Sequence, residues 1–551
     1  MAFFAVLLLL VLLALFAVAA TQLWNYAVVR LVWRPYAMSK WFREQGIHGP
    51  SYSFLKGCNE DVRSMKEETD RLVLEVGDHK YLPRIAPHYL KWRTLYGEPF
   101  LYWHGPQARI CIFDYELARQ ILSSKSGHFV KNDAHPTLLA LVGKGLGFME
   151  GADWVRHRRI INPVFTIDKL KMMTKTMLGF AESLAKELED KASQNKNGET
   201  KVDINKFFSE LTVDNISYAI FGSSYKLGNE VFRAQTDLLG ITMETFLDVP
   251  IPGFKYLPTE KNRRKWMLER KLKSLLTEII QPRLATSEYG NDLLGVMLDS
   301  CIETKQGGKQ VDLSLSMEEI IHECKLFFFA GHENTSLLLT CSILEPVAND
   351  NKLYIADDNG ALRDPEALLA CSFYAKENRG RYDSGINKTA QRHGNCHTYS
   401  NYASRQGGLG SSKGSTWPAS VFNGTKVLHR SELLYVGSEV DAGPDAPEVL
   451  VHSRDKEVWG DDADEFNPLR FKNGITGAAK VPHGLLAFSM GPRSCIGQNF
   501  SMLEAKSTLA LMLQKFSFTL SPDYVHAPVD LFTLKPKFGL PVFLRPLDKC
   551  N

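Results

Sequence analysis

A mainly α-helical body of α+β type, carried on an N-terminal transmembrane anchor helix, is the fold class this sequence predicts. Three observations carry that expectation. Ala2–Ala20, "AFFAVLLLLVLLALFAVAA", is an apolar run without a charge. Between about residues 51 and 340, successive segments place apolar residues at helical spacing with a charged opposite face. β-like runs there are short, "PFLYWHG" and "ARICIF" around residues 99–113.

The anchor follows from length and flanks. At 1.5 Å per residue the apolar run spans roughly 28 Å, about the thickness of a bilayer core. A cleaved signal peptide has a shorter apolar region, roughly 7–15 residues, behind a basic stretch. Here no Lys or Arg precedes the run, whereas Arg30, Arg34, Lys40 and Arg43 follow it. Basic flanks stay in the cytosol, so the bulk of the chain is expected there, behind a single-pass anchor. Trp24, Tyr26 and Trp33 suit the membrane interface. Residues 1–28 are read as the anchor, 29–50 as a basic, proline-containing linker and 51–551 as the globular domain. Pro35 and Gly49–Ser51 are expected to end the stalk. A cytosolic body makes the N-x-[ST] sequons at Asn215, Asn334, Asn387 and Asn423 irrelevant.

Composition excludes other classes. The 551 residues are 44% hydrophobic, enough for a large core. Lys and Arg number 65 against 62 acidic residues, and no basic run is interleaved with aromatics, so no nucleic-acid partner is expected. Nine cysteines in so long a chain are no disulfide framework, and the odd count suits a reducing compartment.

Four segments of the body read as helices. They are Thr174–Gln194, Asp203–Gly222 with Asp as N-cap and Gly as stop, Arg263–Leu284 with Pro282 late in it, and the long apolar Leu315–Leu344. From about Ser342 the texture changes. Until 448 the chain is rich in Gly, Ser and Asn and keeps neither a 3.6 nor a 2 period. So long a structureless stretch does not belong inside a compact domain.

The chemistry concentrates near the end, in "FSMGPRSCIGQNF", Phe488–Phe500. Cys495 lies in a Gly-punctuated loop before an expected helix, Asn499–Lys515. A thiolate near a helix N-terminus is stabilised by the dipole and free backbone N–H groups. Arg493 adds positive charge, and Gly491 and Gly497 let the backbone approach a flat partner. Such a thiol could ligate iron, attack an electrophile or be a plain buried thiol.

The spacing F-x-x-G-x-R-x-C-x-G, filled by Phe488, Gly491, Arg493, Cys495 and Gly497, resembles the haem-binding signature of the cytochrome P450 superfamily. The resemblance implies the cytochrome P450 fold, haem b (iron protoporphyrin IX) as cofactor, and Cys495 as the axial thiolate and metal ligand. It implies Arg493, Trp154 and Arg158 as contacts of the haem propionates, the last two from W-x-x-x-R in "WVRHRR". "AGHENTS", Ala330–Ser336, resembles the family's oxygen-activating segment. Gly331 would open a groove for dioxygen and Glu333 would relay protons. The family's threonine falls on Asn334, whose amide holds water but lacks a hydroxyl; Thr335 is adjacent, on another helix face. The order of these segments with "FNPLRF" resembles the plant 72 clan. The resemblance implies a monooxygenase that hydroxylates a lipophilic small molecule of fatty-acid, terpenoid or hormone type with O₂. Its electrons would come from NADPH–cytochrome P450 reductase, at the endoplasmic reticulum membrane with the catalytic domain cytosolic.

One family element is missing. Arg470 of "FNPLRF" should lock to an E-x-x-R helix upstream, and Ser342–Lys480 contains none. Arg363–Ala367, "RDPEA", can be encoded so that a shift of one base reads Glu-Thr-Leu-Arg. The same shift through Cys371–Tyr402 permits a family-like continuation with an "LPKG" turn. About 345–402 therefore reads as out of frame, and 403–449 as retained intron. As written, 345–449 does not match the family and is expected to be disordered or mis-folded. His393, Cys396 and His397 do not have a standard zinc spacing. Without the E-x-x-R helix, Arg470 would lose its ion partners, and an unpaired buried charge costs about 3–5 kcal/mol of a net stability of about 5–15. Little or no stable haem incorporation is the expectation for the chain as written.

Overall fold

The computed structural model describes residues 2–78, 81–124, 135–222, 227–248, 253–286, 289–303, 314–350, 426–429, 434–436, 448–451, 456–462, 468–471, 473, 477–481, 484, 488–531 and 533–547. Helix α1 (Ala2–Trp24) continues through a π-helical stretch, Asn25–Trp33, into a helix at Arg34–Glu44. Pro35 thus does not end the stalk. It occupies the first turn of Arg34–Glu44, where proline is tolerated, and the rod stops at Glu44 before Gly46 at φ 79°. Val6–Glu44 is the helical stretch among the described residues that is long and apolar enough to cross a membrane. Trp24 and Trp33 are exposed, whereas Leu31 and Phe42 are buried against the body.

The β-like runs form the hairpin β1 (Phe100–His104) and β2 (Gln107–Ile112), antiparallel with Phe100 opposite Cys111. Nearly every side chain is buried, which explains the continuous apolar reading. Strand β3 (Thr200–Asp203) follows later in the chain. Within 345–449, where the sequence offers no period, the described residues include three strands. They are β4 (Lys426–His429), β5 (Leu434–Val436) and β6 (Glu448–Val451), and β6 pairs parallel to β2. Arg363–Ala367 and the rest of the frame-shifted reading lie outside the described residues. Near the C-terminus come β7 (Phe516–Leu520), β8 (Pro528–Leu531), β9 (Thr533–Pro536) and β10 (Pro541–Pro546). β10 joins β3 to β7, and β8 and β9 form a separate antiparallel pair.

The helices are longer than the sequence reading at several ends. They comprise α2 (Gly151–Ile161), α3 (Ile167–Ser193), α4 (Ile204–Phe221), α5 (Gly228–Thr245), α6 (Glu260–Thr286), α7 (Met317–Asp350) and α8 (Gln498–Lys515). Pro282 and Pro346 lie inside α6 and α7. Asp203 does not cap α4. Its carboxylate accepts the Leu540 N–H at 2.8 Å and ties the helix start to β10. At the start of α7, Ser316 and Glu319 form a capping box, each side chain accepting the other's backbone N–H.

Helices α4 and α7 pack closely at the centre. A Cβ at Gly331 would meet the Ile216 side chain at 2.4 Å. Glycine at 331 thus allows α4 and α7 to approach closely, while Gly331 itself stays partly exposed. Nearby, Asn215 of α4 donates from Nδ2 to Glu504 Oε1 of α8 at 2.9 Å, both fully buried, so this sequon is closed to modification in the fold. Burial pushes the Glu504 carboxyl up to about 8, against the smaller opposing effect of the Asn215 bond. Its folded value lies above its unfolded one, so its contribution is present below the unfolded value and lost as pH rises through about 8. Glu504→Gln is expected to raise the melting temperature more at pH 8.5 than at pH 5, as differential scanning fluorimetry would read.

Arg470 is not stranded. Its side chain, 6% exposed, donates to the Trp459 and Asp462 carbonyls at 2.7 Å and pairs with the Asp462 carboxylate at 2.7 Å. The expected cost of an unpaired charge is therefore not incurred, which removes the ground for expecting the chain as written to take up no haem.

Candidate active site

The cysteine loop is braced from within. Cys495 N–H donates to the Phe488 carbonyl at 2.8 Å, closing a loop that contains a one-turn 3₁₀ helix, Gly491–Arg493. Ser489 has φ 59° and Gly491 φ 71°. At Gly491 a Cβ would meet the Leu122 carbonyl oxygen at 2.7 Å, so glycine is required there for both conformation and space. Gly497 differs: its φ is −84° and an added Cβ would lie 3.9 Å from Cys495 Sγ, ordinary contact. Phe488 is buried, Cys495 is exposed, and α8 begins three residues after it.

Helix α2 brings Trp154 and Arg158 to this loop. Arg158 Nη1 donates to the Ser494 carbonyl at 3.0 Å. The Arg493 guanidinium lies 4.2 Å from the centre of the Trp154 ring. Arg493 also donates to the Met149 carbonyl and pairs with Glu150. Burial lowers the pKa of both arginines. Glu150 opposes this for Arg493, and Cys495 does so for Arg158. Sequence reasoning missed Glu150, since no motif marks an acid one residue before α2.

A buried polar cluster holds α2 against α7. His157, fully buried, has Nδ1 2.6 Å from Glu323 Oε1 and Nε2 3.3 Å from Glu319 Oε1. Glu323 Oε1 also accepts the Leu146 N–H at 2.8 Å, and Arg156 pairs with Glu319 at 2.5 Å. Glu319 is held at about 2: burial alone would raise it, but Arg156, Ser316 and His157 together outweigh that. A depressed carboxylate contributes stability above its unfolded value, about 4.3, that is lost as pH falls through about 2. Glu319→Gln is expected to cost about 1–3 kcal/mol at pH 7. Urea titrations at pH 7 and pH 3 would show the cost shrinking in acid.

The three residues read from "AGHENTS" point in three directions, as 100° per residue dictates. Glu333, 5% exposed, accepts from Thr533 Oγ1 at 2.8 Å and from Lys535 Nζ at 2.5 Å on β9. Asn334, half-buried, donates from Nδ2 to the Ala330 carbonyl at 3.1 Å. Thr335, buried, has its hydroxyl 3.0 Å from that of Ser501 on α8. The partly open positions of the helix, including Leu326, Phe329, Ala330 and Asn334, form one stripe at i, i+3, i+4 and i+8 spacing on an otherwise buried stretch.

An exposed thiol in a braced loop beside two guanidinium groups, three residues before a helix, is the arrangement a haem-thiolate site requires. The cytochrome P450 family model matches residues 80–350 and 448–541, and the chain belongs to that family. It is 40% identical to cytochrome P450 709B1 of Arabidopsis thaliana, over 95% of this chain and 96% of that protein. It is 34% identical to secologanin synthase 2 of Catharanthus roseus, over 97% and 98%. With cytochrome P450 CYP72A616 of Paris polyphylla the identity is 33%, over 97% and 98%. Among solved structures, retinoic-acid-bound cyanobacterial CYP120A1 superposes with a TM-score of 0.58 at 18% identity, covering 86% of this chain and 98% of that one. The chain is thus a plant-type cytochrome P450 monooxygenase, an oxidoreductase with haem as cofactor. The donor set fits that group. Cys495 offers an exposed thiol, and two partly buried guanidiniums suit its carboxylates.

Proposed function

We propose that the chain is a single-pass protein of the endoplasmic reticulum membrane. Its cytosolic domain hydroxylates a lipophilic small molecule of fatty-acid, terpenoid or hormone type, with NADPH electrons from NADPH–cytochrome P450 reductase. The observation that carries this is the convergence of Cys495, Arg493, Trp154 and Arg158 from segments far apart in the chain. Haem, when bound, supplies the activation of O₂ for insertion into a C–H bond. Cys495 is its metal ligand in this reading, and Phe488, Gly491 and Gly497 shape the loop around it. Arg158 and Arg493 hold its propionates, with Trp154 stacked on Arg493. Asn334 sits on the open stripe of α7 and holds water near the reacting atoms. Glu333 handles protons from the buried side, and Thr335 fixes α7 to α8. The apolar run α1 and the basic residues after it support the anchored topology. The globular domain is taken as 51–551.

The test is reconstitution of the full-length chain with the reductase in phospholipid vesicles. NADPH-dependent product from a lipophilic panel supports the reading, and a haem-loaded protein inert to NADPH overturns it. A second reading is a non-catalytic remnant or the product of a mis-read gene. The absence of E-x-x-R between Ser342 and Lys480 favours it. Transcript sequence across codons 340–455 decides between a frame error and a genuine segment.

A further inference from the structure

The acid of α7 is held by a base from the far end of the chain. Thr533 and Lys535 both donate to Glu333 Oε1, at 2.8 and 2.5 Å, while Glu333 is almost fully buried. The Lys535 side chain is 24% exposed, so one end of this pair reaches solvent. β9 is tied down beyond it, where Lys537 pairs with Asp70 at 2.5 Å. The other titratable neighbour is His332 on the same helix, enclosed by Phe232, Phe328 and Phe329. Burial holds His332 down at about 4, so it is neutral at pH 7 and offers Glu333 no charge there.

We propose that Lys535 is the positioning residue for the acid of α7: its ammonium keeps Glu333 ionised inside the core and joins it to solvent. Protons for the monooxygenase reaction then enter past Lys535 on β9, the partly exposed end of the pair. This role rests on the monooxygenase reading. A carboxylate buried alone takes up a proton, because desolvation disfavours its charge. Glu333 does the opposite. Burial pushes its pKa up, but Lys535, His332 and the bonds from Lys535 and Thr533 outweigh it and leave the value lowered. Thr533 alone could bond a neutral acid as well as an ionised one, so the ammonium is the group that decides the charge.

The sign of one substitution tests this without haem. With Lys535 present, the folded pKa of Glu333 is depressed, so its charge contributes stability above its unfolded value, about 4.3, and loses it as pH falls. Without Lys535 burial dominates, the folded pKa is raised, and ionised Glu333 is a burden at neutral pH. In the full chain at pH 7.5, Glu333→Gln is expected to lower the melting temperature on its own and to raise it in the Lys535→Met background. The same sign in both backgrounds would overturn the pairing. In reductase vesicles, Lys535→Met is expected to move the acid limb of NADPH oxidation upward by about one pH unit or more, with Lys535→Arg keeping the wild-type profile. Superimposed profiles would overturn the proton-entry role. A wild-type chain inert to NADPH would overturn that role together with the monooxygenase reading, while the melting-temperature sign still decides the pair.

Discussion

Cys495→Ser is expected to abolish the thiolate-type spectrum of the reduced, carbon-monoxide-treated protein and to remove NADPH-dependent turnover. The loss should exceed the roughly 10–100-fold typical of outer-shell partners of a metal site, because the bond to the metal itself is removed. The substitution is small, and the loop does not depend on the thiol for its shape. The Cys495 N–H to Phe488 carbonyl bond and the Gly491 conformation are backbone features that serine keeps. The side chain is exposed, so no core packing is lost. The apoprotein should therefore melt within about 0.5 kcal/mol of wild type, as surface substitutions do. A Cys495→Ser protein that kept a thiolate-type band would place the ligand on another sulfur. Of the other cysteines, Cys58, Cys111, Cys324 and Cys341 are buried, and burial raises the thiols of Cys58 and Cys324, the first to about 12.

Restoring the reading frame is expected to have the second-largest effect. A chain in which 345–402 takes the one-base-shifted reading, with Glu-Thr-Leu-Arg in place of "RDPEA", and 403–449 is removed, should lose haem to a scavenging globin at least ~10-fold more slowly, a factor worth about 1.4 kcal/mol. The restored glutamate would add a carboxylate to Arg470, which now relies on Asp462 and two carbonyls. Asp462 is 40% exposed and its pair is screened by water, so a buried acid would hold Arg470 more firmly. Equal loss rates for both chains would show that the pairing at Asp462 already suffices.

What the sequence made legible depended on the range of the signal. The apolar N-terminal run and the short β-like runs around 99–113 announce themselves as continuous apolar stretches, the helices α3, α4, α6 and α7 through local periodicity, and the Cys495 loop through spacing. Glu319 was within reach, because Ser316 and Glu319 stand at capping-box spacing. Glu150, Lys535 and the His157–Glu323 pair were not, because each meets its partner only through packing of segments 166 to 343 residues apart. Gly331 shows the same limit from the other side. Its motif suggested a groove, and the close contact with Ile216 of α4 on its Cβ side is a second role that no local pattern reveals. Arg470 found a partner eight residues away that the family pattern did not point to.

The measurement that tests the central claim most directly is the absolute and carbon-monoxide difference spectrum of the full-length chain, expressed as written and purified from membranes with added haem. The account predicts a haem spectrum of the thiolate-ligated type that disappears in Cys495→Ser. A folded, membrane-bound chain that takes up no haem, or takes it up identically without Cys495, would contradict it.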